Sequence, residues 1–197
     1  MKSLLIKTIV VMSLSGCAAA VRPYDYAKEP DPRKGEYVLG ESDVLQITIW
    51  GHSELSGQVR IRPDRTITLP LLGDLEAAGN TPRGLRMAIQ RRLIAFIKDA
   101  AATATVAVVD VNSYRFTVTG NVARPGLFSP RRYVTIAEAI AMAGGPDRFA
   151  SSEKVVIVRQ DDDGAIRKIP IDYAAISVGK KHEQNLVLLR GDRVHVP

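Results

Sequence analysis

Cys17 is the only cysteine among 197 residues. No disulfide can form within the chain, so whatever it folds into must be held by buried apolar surface. Apolar residues make up 46% of the sequence, enough for a real core and too many for a chain disordered throughout. The length accommodates one or two domains and not three ordinary ones.

The surroundings of Cys17 say what the thiol is for. Residues 1–17 read MKSLLIKTIVVMSLSGC, with Lys2 and Lys7 as a basic start, an apolar run over residues 8–14, and small residues at Ser15 and Gly16. This is the pattern of a secretory signal, too short to span a bilayer. Leu14, Ser15, Gly16 and Cys17 match the bacterial lipobox. The match predicts a lipoprotein signal peptide over residues 1–16, cleavage before Cys17, and lipidation of its thiol and new amino terminus. The alternative is an ordinary cleavage site, with Cys17 as a small residue near Ala18-Ala19-Ala20. Ala18, where an Asp would favour inner-membrane retention, points to the outer membrane. An acylated Cys suffices as an anchor, because each buried methylene contributes about 0.8 kcal/mol and two or more chains hold stably. The formal charge of +6 falls to +4 once Lys2 and Lys7 leave with the signal. Residues 17–35 carry Pro23, Pro30 and Pro32 among charged residues, without helical or strand period. They read either as an extended tether or as a strap clinging to the folded body.

The body reads as α+β, two small mixed sheet-plus-helix units over residues 36–111 and 112–197. In the first, Leu45, Ile47 and Ile49 alternate with Gln46 and Thr48, a half-buried strand. Val59 and Ile61, then Ile67 and Leu69, alternate likewise around Pro63-Asp64 and predict a hairpin. Thr81 and Pro82 open a helix with an apolar stripe of Leu85, Ile89, Leu93 and Phe96; Gly84 in its first turn predicts a late start. Residues 103–111 return as a strand. In the second unit, strands are expected over 114–122, 154–159, 165–171, 186–189 and 193–196. Thr135 and Glu138 form a capping box for a helix that stops at Gly144-Gly145-Pro146. Gly40-Glu-Ser-Asp43 before one strand and Gly191-Asp192 before another form a faint internal echo.

Sites of chemistry are scarce. His52, His182 and His195 have no metal-ligand spacing with Cys, Asp or Glu, so no metal is expected. Gly51-His52-Ser53-Glu54-Leu55 starts like a nucleophile elbow but lacks the second glycine. No phosphate-binding glycine loop is present, and no cofactor is expected. Asp161-Asp162-Asp163-Gly164 lacks the alternating ligands and late Glu of a calcium loop and reads as a solvated hairpin tip. Cations between Arg83 and Lys98, chiefly Arg86, Arg91 and Arg92, are candidates for contact with an anionic glycan, or simply a solvated helix face. Nucleic acid is not an expected partner of a secreted lipoprotein.

The motifs together resemble the bacterial polysaccharide export proteins, outer-membrane lipoproteins of capsule and exopolysaccharide secretion. The first unit resembles their export domain through Tyr37-Val-Leu-Gly40, Asp43-Val-Leu-Gln-Ile-Thr-Ile-Trp50, Ile67-Thr-Leu-Pro70-Leu-Leu-Gly73 and Ala78-Gly79-Asn80-Thr81. The second resembles their soluble-ligand-binding β-grasp (SLBB) domain. It carries Val118-Thr-Gly120-Asn-Val122-Ala-Arg124-Pro125-Gly126, Ala143-Gly144-Gly145 and Leu189-Arg-Gly191-Asp192-Arg-Val194. These motif residues read mainly as fold determinants. Gly40, Gly73, Gly120, Gly126 and Gly191 are expected at positive φ or close approaches, and Asp43 and Asp192 as acceptors in turns before strands. One departure is Asp64-Arg65, where the family usually has Asp-Gly, which predicts a different turn.

The resemblance implies a non-enzymatic conduit component, anchored in the outer membrane and facing the periplasm. It implies a homo-oligomeric ring, an octamer by the same resemblance, handling polysaccharide and docking to an inner-membrane polysaccharide co-polymerase or tyrosine kinase. With no segment after the last strand for the pore helix of larger relatives, a separate outer-membrane β-barrel partner is expected. The contrasting reading is a monomeric lipoprotein that holds or senses glycan without forming a conduit.

Overall fold

The computed structural model describes residues 24–96, 103–161 and 163–197. Leu14, Ser15, Gly16, Cys17 and Lys98 lie outside the described residues. The architecture is α+β, with two hydrophobic cores, one per unit.

In the first unit, β1 (Val44–Ile49) is central and pairs antiparallel with β2 (Gly57–Arg60) and β5 (Ala104–Asp110). Its alternation does what period two requires: Leu45, Ile47 and Ile49 are buried. A separate two-stranded sheet, β3 (Thr66–Leu69) with β4 (Gly73–Glu76), adds Ile67, Leu69 and Leu75 to the same core. Helix α1 (Pro82–Phe96) covers it with Leu85, Ile89 and Leu93. The Thr81 hydroxyl accepts the Gly84 N–H at 3.1 Å, and the helix starts at Pro82 rather than late. Phe96 does not join the stripe; it is 56% exposed.

The hairpin expected between residues 59 and 69 is redistributed. Its turn exists, closed by Arg65 N–H to Arg62 O at 3.0 Å, but β2 pairs with β1 and β3 with β4. Strand β4 was hidden because Gly73-Asp74-Leu75-Glu76 has only one apolar position. Arg65 itself adopts φ +71°, so the turn keeps the conformation that a glycine would take, at the steric cost of a side chain.

In the second unit, five strands run in the order β7 (Gly126–Phe128), β6 (Phe116–Gly120), β10 (Arg193–Val196), β8 (Val155–Gln160), β9 (Ile166–Ile171). β6 and β10 are parallel and every other pair is antiparallel, a β-grasp-like arrangement. A parallel pair needs a long crossover, and here nearly the whole unit intervenes. Helix α2 (Ile136–Met142) has the expected capping box and buries Ile136, Ala139 and Ile140. Gly120 ends β6 at φ +88°, where an added Cβ would lie 2.0 Å from the Val196 carbonyl oxygen. No strand forms over 186–189. Instead Ile136 N–H bonds Leu186 O and Leu188 N–H bonds Val134 O, so the segment pairs with the entry to α2. A short helix α3 (Tyr173–Ser177), started by Asp172 accepting from Ala175 N–H at 2.9 Å, has no period long enough to read from sequence.

Residues 24–34 form a strap on the second unit. Tyr24 and Tyr26 pack on its core, and the Tyr26 hydroxyl donates to Pro170 O at 2.7 Å.

The turn at Arg65 gives a test. Arg65→Val, with branching at positive φ, is expected to destabilise by about 1–2 kcal/mol, whereas Arg65→Gly stays within about 1 kcal/mol of wild type in urea unfolding. Equal midpoints for all three would contradict this backbone geometry.

Candidate functional site: the junction between the two units

Asp43 is fully buried and belongs to the turn before β1, yet most of its partners lie across the unit boundary. Its Oδ1 accepts the N–H groups of Asn112 and Ser113, both at 2.8 Å. Its Oδ2 accepts from Gly40 N–H at 2.9 Å, the Tyr37 hydroxyl at 2.7 Å and the Ser113 hydroxyl at 2.9 Å. All five partners donate, which suits a group that only accepts. Burial pushes the Tyr37 phenol well above its ordinary pKa, and the adjacent Asp43 adds to the effect. Around this hub, the Asn112 amide donates to Ser42 O at 3.1 Å and Arg190 Nη2 to Val38 O at 2.9 Å. The Tyr133 ring bridges Tyr37 and Tyr114. Gly40 is required by this closeness, since an added Cβ would meet Arg190 at 2.1 Å and Ser113 at 2.5 Å.

Asp192 repeats the turn. In both, the Asp N–H bonds the carbonyl three residues back at 3.2 Å, and Oδ2 accepts that same residue's N–H, Gly40 for one and Leu189 for the other. The residue before the Asp has positive φ in each, Ser42 at +72° and Gly191 at +84°. The internal echo is therefore real as a local structure, but Gly191 corresponds to Ser42 and not to Gly40.

Asp192 also anchors a buried ion-pair chain. Arg159 donates Nε and Nη2 to it at 2.9 and 2.6 Å, and Nη1 to Glu29 of the strap at 2.7 Å. The side chains of Arg159, Asp192 and Glu29 are 2%, 1% and 3% exposed. Arg167 reaches Glu29 at 2.6 Å, and the Tyr24 hydroxyl bonds it too. Burial alone would raise the Glu29 pKa; the hydrogen bonds from Tyr24 and Arg167, with both arginine charges, hold it below the ordinary carboxylate value. Sequence reasoning missed Glu29 and Arg159. The available signal was an arginine inside the apolar strand Val-Val-Ile-Val-Arg159.

The other motif residues shape turns. Gly73, Gly144 and Gly145 have positive φ, and Leu72 N–H bonds Pro70 O at 2.7 Å. The loop carrying Pro125 is tied to the end of α2 by Arg124 N–H to Ala143 O at 2.8 Å. Gly126 departs from expectation: its φ is not positive and nothing crowds it. Arg86, Arg91 and Arg92 form no common patch. Arg92 Nη1 donates to Leu72 O and Asp74 O, both at 2.8 Å, tying α1 to the β3–β4 hairpin. Arg91 and Arg92 share a depression with Asp74 and Glu76, and Arg86 is not part of it. Among the described residues, no group of three or more His, Cys, Asp or Glu could hold a metal ion.

Comparison with known proteins matches this two-unit plan. A family model described as polysaccharide biosynthesis/export protein fits residues 31–108, and the SLBB domain model fits residues 115–170. The chain carries an export domain of the polysaccharide export family followed by one SLBB domain. Its export domain holds Asp43, and the boundary between the matched segments falls at Asn112 and Ser113. The polysialic acid transport protein KpsD of Escherichia coli is 22% identical over 125 residues, 64% of this chain and 22% of that protein. The exopolysaccharide production protein ExoF of Rhizobium meliloti is 25% identical over 135 residues, 62% of this chain and 31% of that protein. The chain thus matches about a third or less of the length of either relative.

Two expectations follow for this export protein. Asp43→Asn turns an amide donor toward donors and is expected to cost about 3 kcal/mol or more in chemical denaturation; a loss under about 1 kcal/mol would contradict the hub. Glu29→Gln is expected to cost about 3 kcal/mol at pH 7. Because the folded pKa of Glu29 is depressed, its contribution is present above the unfolded value and is lost as pH falls through the folded one. The gap in melting temperature between wild type and Glu29→Gln should therefore be wide at pH 7 and narrow as pH falls below the ordinary carboxylate range.

Proposed function

We propose that the chain is a non-catalytic component of a capsule or exopolysaccharide export apparatus, acting in the periplasm. The observation that carries this reading is the tandem of export and SLBB domains clamped into one body by Asp43. A rigid pair of ligand-handling units suits a protein that passes or holds polymer without making or breaking bonds. The reading includes a lipid anchor at Cys17 in the outer membrane, assembly of copies into a ring, and docking to an inner-membrane co-polymerase. It also includes a barrel partner in the outer membrane. Support for these finer parts is the lipobox and the family resemblance. No helix among the described residues is long and apolar enough to cross a membrane.

The second reading, a monomeric glycan-binding lipoprotein, is favoured by an arginine-lined cleft at the junction. Deletion in a strain with no second copy separates the two. Export predicts loss of secreted polysaccharide, restored by the wild-type chain and poorly by Cys17→Ser, which should also lose incorporation of labelled palmitate. Normal secretion in the clean deletion would overturn the export reading.

A further inference from the structure

Beside the Asp43 hub the two units leave a cleft of about 490 Å³, lined by Arg65 of the first unit and Arg115 and Arg190 of the second. Gly79, Gly191 and the single acid Glu41 also border it. The volume lies in the range of small-molecule sites and suits one or two sugar rings. The three guanidinium groups make no ion pair with a described carboxylate, which sets them apart from six other arginines of the body. Arg62, Arg83, Arg131, Arg132, Arg159 and Arg167 are each paired with a carboxylate. Arg65 and Arg190 instead donate to neutral main-chain carbonyls, of Ala78 at 3.3 Å and Val38 at 2.9 Å. Among the described residues nothing engages the Arg115 side chain. Glu41 makes no ion pair with any of them.

A guanidinium has five N–H donors, so each of these groups keeps several to offer. Such planar forks match the two oxygens of a carboxylate in pairs of parallel hydrogen bonds. Arg190 and Arg65 are held by their carbonyl contacts, and Arg115 has no such tether among the described residues. The depression on α1 differs, since Asp74 and Glu76 lie beside its Arg91 and Arg92.

We propose that this inter-unit cleft binds a carboxylate-bearing sugar unit, so that the protein handles an acidic rather than a neutral polysaccharide. The proposal deepens the export reading by naming the chemical class of its polymer, and rests on that reading for the polymer's biological role. Glucuronate and a tetragalacturonate oligomer supply the carboxylate, the carboxyl-reduced tetrasaccharide supplies the same rings without it, and inorganic phosphate supplies charge without a sugar. Titrated into the full chain in detergent and followed by NMR, the two carboxylate sugars should shift the Gly79, Arg115 and Gly191 amides saturably. The reduced sugar should not. Arg115→Gln should weaken binding by about fivefold or more, as should the double variant with Arg65→Gln, while leaving the Asn112 and Ser113 signals in place. Absence of saturable shifts with both carboxylate sugars, equal binding of the reduced sugar, tighter binding of phosphate, or insensitivity to Arg115→Gln would each overturn the assignment. Failure of this binding with secretion still lost on deletion would leave the export reading standing. Normal secretion with intact carboxylate binding would remove that reading and keep the site.

Discussion

A carboxylate taken out of water with no cation beside it must find its donors within the protein, and Asp43 finds them in two units at once. Three of its five hydrogen bonds come from Asn112 and Ser113, roughly 70 residues along the chain. The first unit cannot shift against the second without stripping a buried acceptor of partners, a penalty of about 1–3 kcal/mol for each group left bare. Gly40, Tyr37, Tyr133 and Arg190 are arranged around that constraint. The orientation of the two units and the width of the cleft beside them follow from it.

Asp192 applies the same turn to a different end. It caps the entry to β10, the central strand of the five-stranded sheet, and holds Arg159, which in turn holds Glu29. A buried ion pair is poor evidence of net stability by itself, but its geometry is selective. Only a carboxylate delivered from the strap completes the shell of Arg159. Residues 24–34 are thereby fixed to the SLBB domain. If Cys17 carries the lipid, the six residues between Cys17 and Tyr24 leave a reach of about 25 Å, which brings that domain close to the bilayer.

Much of the fold was legible wherever a period had room to express itself. β1, α1 and the capping box at Thr135 stand in the sequence because alternation, a helical stripe and a local hydrogen-bonding pair are all short-range signals. β4, α3 and the segment 186–189 were not, because their conformation is set by tertiary partners or is too short to show a period. The site divides the same way. Asp43 and Asp192 were identifiable as turn acceptors, yet their long-range roles depend on Ser113, Arg159 and Glu29, whose proximity no spacing discloses. Arg86, Arg91 and Arg92 looked like a patch along the chain and are spread around a helix in space. The three arginines of the cleft, scattered at positions 65, 115 and 190, became a group only through folding.

The functional account depends on the two units behaving as one body. Amide hydrogen exchange at Asn112 and Ser113 tests this most directly, because those N–H groups bond Asp43 and nothing else holds them. If the junction is as rigid as the cores, both amides should exchange only through global unfolding, with the protection of β1 and β6. Fast exchange at Asn112 and Ser113 while β1 and β6 stay protected would mean that the units move independently, and would contradict the account.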